Sequence, residues 1–456
     1  MSSLTASLAT ALSGLTAEQG ALQATTNNVA NVNTPGYSRE VPVLVASDPT
    51  FIAPLTLGTG VTLQRIESVR DAILESRIQQ ETQTQGQWSA LVAAMAQAQV
   101  SFTSNSGDIG TAISDFFDSI NQLSASPADL SLRQNAMTAA GNLAAAFNST
   151  ANHLTSQRIN LDQSVEQTVG QINQLTRQIA QLNGQISNLE NVGDNGGTFV
   201  DQRSQLIDQL SALVDVAVIP SDNTLTLTTA NGTPLVAGQQ SFALTSQLDA
   251  SGVQHIAGQG NDITSSLVAG ELGGLLEARD QQIPAILGKL DTLAAGLADA
   301  VNGVQTAGYD LNGNAGANLF STPPAGGTGA AAAMTVVISD PALLAASSDQ
   351  SAGNNGNAEA LYALRNQAII QGQSPTDYYS GIVFDVGNVT SNASAQQNAS
   401  SLVLQQLNDQ RNAISGVSLD QEAANMMRYQ QAYAASAQVV STINSMMQTL
   451  LNMKSS

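Results

Sequence analysis

The chain contains no cysteine. That excludes disulfides, thiolate nucleophiles and sulfur metal ligands, and leaves the redox compartment open. Histidine is nearly absent too: His153 and His255 are the only two. They do not form an i, i+4 pair, so a zinc site would have to be completed with carboxylates. No nucleophile has a histidine near it in sequence. Asp310, Asn312 and Asn314 imitate the start of a calcium loop, but Ala315 stands where glycine is required and Ser321 where a bidentate glutamate is required. Gly270, Gly273 and Gly274 do not make a dinucleotide fingerprint, and Gly288-Lys289-Leu290 is not a phosphate loop. No catalytic residue, metal or cofactor is assigned, and the chain reads as a non-enzyme.

Charge is scarce as well. Only 11% of the 456 residues are charged, against about 25% in an ordinary globular protein. The surface must therefore be built from Gln, Asn, Ser and Thr. Lys and Arg number 14 and Asp and Glu 35, a net charge of −21. Such a balance argues against nucleic-acid binding and against anionic lipid. No run of eighteen apolar residues occurs, so no membrane insertion is expected. The N-terminus lacks the basic region and apolar core of a cleaved signal peptide. A soluble chain without a cleaved signal is the expectation.

The little charge present is unevenly placed. Residues 1–39 carry only Glu18 and Arg39, net zero. Residues 411–456 carry Arg411, Arg428, Lys454, Asp420 and Glu422, net +1, which leaves −22 on residues 40–410. Near-neutral ends can pack among identical copies with little repulsion, whereas the acidic middle is better placed in water.

What the ends do have is heptad patterning. Leu4, Leu8, Ala11, Leu15, Leu22 and Val29 fall on one seam, with Glu18 and Thr25 at the intervening positions. Such a seam wants a partner helix. The helix must stop near Asn31 to Asn33, because Thr34 precedes proline and is pushed out of the helical region. Thr34-Pro35-Gly36-Tyr37 then reads as a type II turn. A second seam at the other end runs Leu419, Ala423, Met426, Tyr433, Ala437, Val440, Met447 and Leu451, widened by Ile443 and Leu450. The two seams are expected to close on each other as a coiled coil. Both are rich in Ala, Ser and Thr and bury little area, so contacts with neighbouring subunits are expected to complete them.

Between the ends the pattern alternates. Val41–Val45, with Pro42, reads as an edge segment, and Thr59–Leu63 as a short strand. Helices are expected over about 68–102, 109–123, 128–192 and 198–214, with a turn at 105–108 and a glycine-rich loop at 191–197. The seam from Leu154 to Leu189 is the longest, and would reach roughly 54 Å at 1.5 Å per residue. From Val214 to about 268 the period becomes two, with an Asn231-Gly232 hairpin signal, so a small antiparallel β domain is inserted there. Helix resumes over about 270–306. A loop follows at 308–320, a Pro/Gly/Ala linker at 321–334, a strand at 335–338, and helices over about 358–370 and 375–415. The fold class is mainly α with an inserted antiparallel β domain. Three discontinuous units are expected: 1–40 with 411–456, 41–213 with 269–410, and an outer unit 214–268 projecting from them.

Several of these stretches are similar to one family. Leu12-Ser13-Gly14-Leu15 and Asn27-Asn28-Val29-Ala30-Asn31-Val32-Asn33-Thr34-Pro35-Gly36-Tyr37 resemble the axial proteins of the bacterial flagellum. Tyr37-Ser38-Arg39, Asp201-Gln202-Arg203, Gly270–Asp280, Gly416–Asn425 and Tyr429-Gln430-Gln431-Ala432-Tyr433 resemble the hook-associated protein 1 family within it. Gln305 departs from the family loop, where histidine is common. The resemblance implies a structural subunit in a ring of identical copies at the hook–filament junction, outside the cell. It implies contacts with hook protein and a second junction protein, type III export, and a cytoplasmic export chaperone on the C-terminal helix. The residues expected at assembly contacts are Leu4, Leu8, Leu15, Leu22, Val29, Asn31, Asn33, Pro35, Gly36, Tyr37, Leu419, Met426, Tyr429, Tyr433, Val440, Ile443, Met447 and Leu451. Another axial subunit, or a secreted coiled-coil adhesin or effector, are the alternatives.

Overall fold

The computed structural model describes residues 2–52, 55–103, 108–191, 196–221, 224–250 and 252–454. Most of the expected 105–108 turn and 191–197 loop lies outside them. Helix α1 (Ser2–Ala30) opens the chain. Strand β1 (Glu40–Ala46) follows, then the short strands β2 (Thr50–Ile52) and β3 (Leu55–Leu57), then β4 (Val61–Ser68). β1 and β4 pair antiparallel with an irregularity between Val43 and Leu44, and β2–β3 form the tip of that hairpin. The hairpin packs along α1.

The second helix, α2 (Ala72–Thr103), begins four residues later than the sequence suggests. Ser68 is still paired in β4, opposite Glu40. Asp71 supplies the start signal, its carboxylate accepting from the amides of Ile73 (2.9 Å) and Leu74 (3.1 Å). Helix α3 (Ile109–Ala125) is capped by Asp108, and α4 (Leu130–Glu190) by Asp129. At 61 residues α4 spans roughly 90 Å and is the spine of the molecule. Its inner face drifts off the heptad. Leu154, Leu161, Val165, Ile172, Ile179 and Ile186 are buried, but so are Thr168, Thr176 and Asn183, while Leu175, Leu182 and Leu189 are half-buried. Helix α5 (Gly197–Leu213) returns along α4.

The β insertion is two antiparallel sheets. One comprises β5 (Ala217–Ser221), β6 (Thr224–Thr228), β7 (Pro234–Ala237) and β8 (Gln240–Ser241). The other comprises β9 (Leu244–Leu248), β10 (Gln254–Gly258) and β11 (Asn261–Asp262). They do not project clear of the helices, because Leu225, Leu227, Leu235, Val236, Leu244 and Ile256 share one core with α4. Asn173 and Asn183 of α4 bind the strands directly. Asn173 both donates to and accepts from the Leu244 backbone, each at 2.8 Å, and Asn183 donates to Gly238 O at 2.7 Å.

Helix α6 (Gly270–Glu277) and α7 (Ile283–Ala307) replace the single helix expected over 270–306. A π-helical turn, Ala278–Gln282, joins them. Pro284 lacks an amide to continue the ladder, and the turn aims Arg279 inward. The 321–334 stretch is not a free linker. It contains the one-turn helix α8 (Ala330–Ala333), whose start is held by Asp291, which accepts from Gly329 N (2.7 Å) and Ala331 N (2.9 Å). The expected strand at 335–338 reduces to a single bridge between Val336 and Phe320. Phe320 packs on Phe116, and Phe116 on Phe117, at 5.8 and 5.2 Å between ring centres. Helix α9 (Gly356–Ala363) is shorter than expected and is followed by α10 (Pro375–Ser415), which packs along α2. Three residues separate α10 from the last helix, α11 (Leu419–Lys454), which lies against α1. No described helix is long and apolar enough to cross a membrane.

Candidate assembly interface

The site is the paired termini and the turn that ties them to the body. The turn forms as its residues dictate: Tyr37 N donates to Thr34 O at 3.2 Å and Gly36 has φ +76°. Asn31 closes the helix above it, accepting from Thr34 N and from Thr34 Oγ1 (2.9 and 3.1 Å). The hub is a residue to which sequence reasoning gave no role, Asn28, which is 1% exposed. Its Oδ1 accepts from the Tyr37 hydroxyl (2.9 Å) and from Glu40 N (2.8 Å), and its Nδ2 donates to Glu40 O (2.8 Å). Burial, together with the charges of Glu40, Asp201 and Glu422, pushes the Tyr37 phenol well above its ordinary range. It therefore stays a donor.

The turn rests on α5 and on the α10–α11 joint. Gln205 donates to Pro35 O at 2.6 Å, and Ser38 N donates to Asp201. Arg39 N donates to Ser415 O (2.8 Å), and its guanidinium reaches Gln421 Oε1 (2.9 Å) on the far side of the break. Beneath lies a polar cavity of about 440 Å³ that includes Arg70, Glu75, Asp208 and Arg411 in its lining. Arg70 forks onto Asp201 and Ser204. Arg411 stands 3.8 Å from Asp208. Burial raises the Asp208 carboxyl to about 6 despite Arg411, and also raises Glu75 and Asp201. The cluster ties the end of β4 and helix α10 to α5 beneath the turn through the pairs Arg70–Asp201 and Arg411–Asp208.

Placement of the expected contact residues is uneven. On α1 the fully buried positions are small or polar ones: Ala11, Ala17, Ala21, Ala24, Thr25 and Asn28. Leu4, Leu8, Leu15, Leu22 and Val29 are half-buried on its flank. The reason is that α1 is covered on two sides. Gly14 faces Ser436 of α11, while Gly20 abuts Leu63 of β4 and Ser13 Oγ receives Val61 N. On α11, Ile443 is buried and Met426, Tyr429, Val440 and Met447 are half-buried. Leu419, Tyr433 and Leu451 are exposed, so the drawn seam is not buried along its whole length. Where α11 passes Gly14 it presents Ser436, a small polar residue that a heptad drawn through large apolar residues misses. Asn31, Gly36 and Tyr37 are half-buried and Asn33 and Pro35 exposed on the turn.

Elsewhere the candidate chemistry is consumed locally. Asp310 is engaged by the amides of Asn312 and Asn314 (both 2.8 Å), so its loop is closed by its own donors. His255 Nδ1 is hydrogen-bonded to the Asp262 carboxylate at 2.7 Å. Gln305 is buried and holds Ala345 through both ends of its amide.

Paired terminal helices flanking a long helical body are what comparison with known proteins relates to one class. Residues 8–37 match the flagella basal body rod protein family, and residues 410–453 the C-terminal family of the flagellar basal body rod proteins. The chain is an axial protein of the bacterial flagellum. Residues 95–320 match the helical domain of the flagellar hook-associated protein FlgK. Relatives described as flagellar hook-associated protein 1 include one from Bacillus subtilis, 30% identical over 99% of both chains. Others come from Escherichia coli (29%) and Salmonella typhimurium (28%), each over 97% of this chain and 99% of the relative. The chain belongs to the flagellar hook-associated protein 1 family. These alignments run over 501 to 546 positions, so the relatives carry segments that this 456-residue chain lacks. The flagellar hook junction protein FlgK from Burkholderia pseudomallei shares the fold, with TM-score 0.69 and 18% identity over 74% of this chain and all of that one.

Proposed function

We propose that this chain is a non-catalytic structural subunit that joins hook to filament as a ring of identical copies. The observation that carries this reading is the apolar surface left on the paired termini. Leu12, Leu419, Met427, Val439, Met446, Leu450, Leu451 and Met453 are all more than one-third exposed, on segments with almost no net charge. So much exposed apolar side chain is covered by further subunits. The rest of the chain is acidic and already has its own core. On this reading the expected contact residues, from Leu4 to Tyr37 and from Leu419 to Leu451, pack within and between copies. One end of the ring meets hook protein and the other a second junction protein. Before export a cytoplasmic chaperone covers α11, and the chain leaves by the type III route without a cleaved signal.

The test is complementation of a motile strain lacking its own hook-associated protein 1. Expression of this chain is expected to restore filaments, and its absence to leave bare hooks with flagellin shed into the medium. Normal filaments in the strain without it, or an untagged filament base in complemented cells carrying a tagged copy, would refute the placement.

A further inference from the structure

We propose that the charged cavity beneath the turn is a proton-operated joint, which grips the end of α10 when its carboxylates are protonated and releases it when they are not. The joint belongs to the chain itself and does not depend on the junction reading. The end of α10 is lightly held. Tyr379, Ile382, Val386 and Ala393 of α10 lie in the main core. Further along, Leu404 and Leu407 leave that core and form a separate cluster of four with Leu74 and Ile78 of α2. Residues 416–418 then separate α10 from α11, so the last turns of α10 have a break at which to move. A segment with so little buried apolar surface opens locally at low cost.

What sets the end of α10 against α5 is polar. Asp208 of α5 faces Arg411 of α10, Glu75 and Gln79 of α2, and Arg70 just before α2. Glu75 faces Arg70, Arg411, Asp71 and Asp201. The remaining charges act on other groups: Glu75 and Glu190 of α4 on Arg203 of α5, and Glu40 of β1 and Glu422 of α11 on Tyr37. Attraction across the joint is weak. Arg411 stands 3.8 Å from Asp208, beyond hydrogen-bond length. Both side chains are half-buried, and such a pair contributes little. The cost of taking the two carboxylates out of water outweighs it, and burial is the largest cause that raises both carboxyls.

In the open joint both carboxyls return to water and to their ordinary range. Closing therefore takes up protons. For Asp208 the closed form is favoured below its ordinary 3.8, and that advantage is lost as pH rises through about 6. Asp208 alone changes the ratio of closed to open roughly tenfold between pH 5 and 7.5. Opening also strains the bond from Arg39 N to Ser415 O, so the protonation state reaches the turn.

The test is hydrogen exchange on the purified full-length chain, read as protection factors corrected for the intrinsic pH dependence of exchange. Amides of residues 404–415 are expected to lose about tenfold in protection between pH 5 and 7.5. The double variant Asp208→Asn, Glu75→Gln has no proton to lose at these sites, and should keep its pH 5 protection there at both pH values. Wild-type protection over 404–415 that does not fall overturns the proposal. An equal fall in the double variant also overturns it, because the change then comes from other groups. If the double variant does not fold, Asp208→Asn alone is measured: a diminished fall supports the joint and an undiminished one overturns it. None of these results touches the junction reading, which complementation tests.

Discussion

Replacing Asn28 with alanine tests whether the turn is what docks the terminal pair. The side chain is buried and makes three hydrogen bonds, to the Tyr37 hydroxyl and to the amide and carbonyl of Glu40. Each such bond contributes roughly 1 kcal/mol net, and a donor left unsatisfied in a buried place costs about 1–3 kcal/mol. Water reaches part of the site once the amide is gone, so the whole loss is about 3 kcal/mol. That energy belongs to the docking of α1 on the hairpin, not to the α4 core, which is buried among other residues. Local opening of α1 therefore becomes roughly 100-fold more frequent. Hydrogen exchange on the purified chain should show it as faster exchange over residues 11–30, with residues 154–189 unchanged. Tyr37→Phe removes only one of the three bonds and should give about a third of the effect. Unchanged exchange over α1 in Asn28→Ala would refute the assignment of Asn28 as the hub. Equal loss of protection in α4 would show that the two parts fold as one unit.

Four further outcomes are expected. In the isolated wild-type chain, amides of residues 4–30 should exchange faster than those of 154–189, because α1 is held mainly through alanines; equal protection sinks this. Arg279→Ala leaves Asp162 and Asp280 without their guanidinium and frees Gln254 O, and should cost about 3–5 kcal/mol, read as a lowered melting temperature; a loss under 1 kcal/mol contradicts it. Asp215 is buried, has one oxygen without a partner, and titrates at about 6 because burial raises it above its ordinary 3.8. The folded state then binds the proton first, so stability rises by about 1 kcal/mol from this group as pH falls from 7 to 5. Asp215→Asn should remove that slope from a denaturant series, and an unchanged slope speaks against it. Gly270 has φ +72° and its absent Cβ would overlap the backbone of Leu213 and Val214, so Gly270→Ala should destabilise by at least about 1–3 kcal/mol; a wild-type melt rules that out.

The sequence by itself determined the helical class, the β insertion and the pairing of the two ends. Each is written in local terms: a period of seven, a period of two, a proline after Thr34, a glycine at the αL position of the turn. The 30–37 motif and the 416–433 stretch were legible as family signatures for the same reason, since their residue types are dictated by backbone conformation and close packing. Tertiary structure alone decided which residues do the holding. Asn28 lies on α1 and Asp201 and Gln205 on α5, and nothing local marks them as partners of one turn. Leu419, Tyr433 and Leu451 fit a heptad as well as Met426 and Val440 do, yet they are exposed. An isolated heptad cannot say that α1 is also covered by a hairpin, which rotates the buried stripe onto Ala17, Ala21 and Ala24. The same holds for the 321–334 stretch, where composition says linker but Asp291 and Asn148 pin its carbonyls and amides. Periodicity fixes what a helix can bury, and only the neighbours that arrive from distant sequence fix which face is buried.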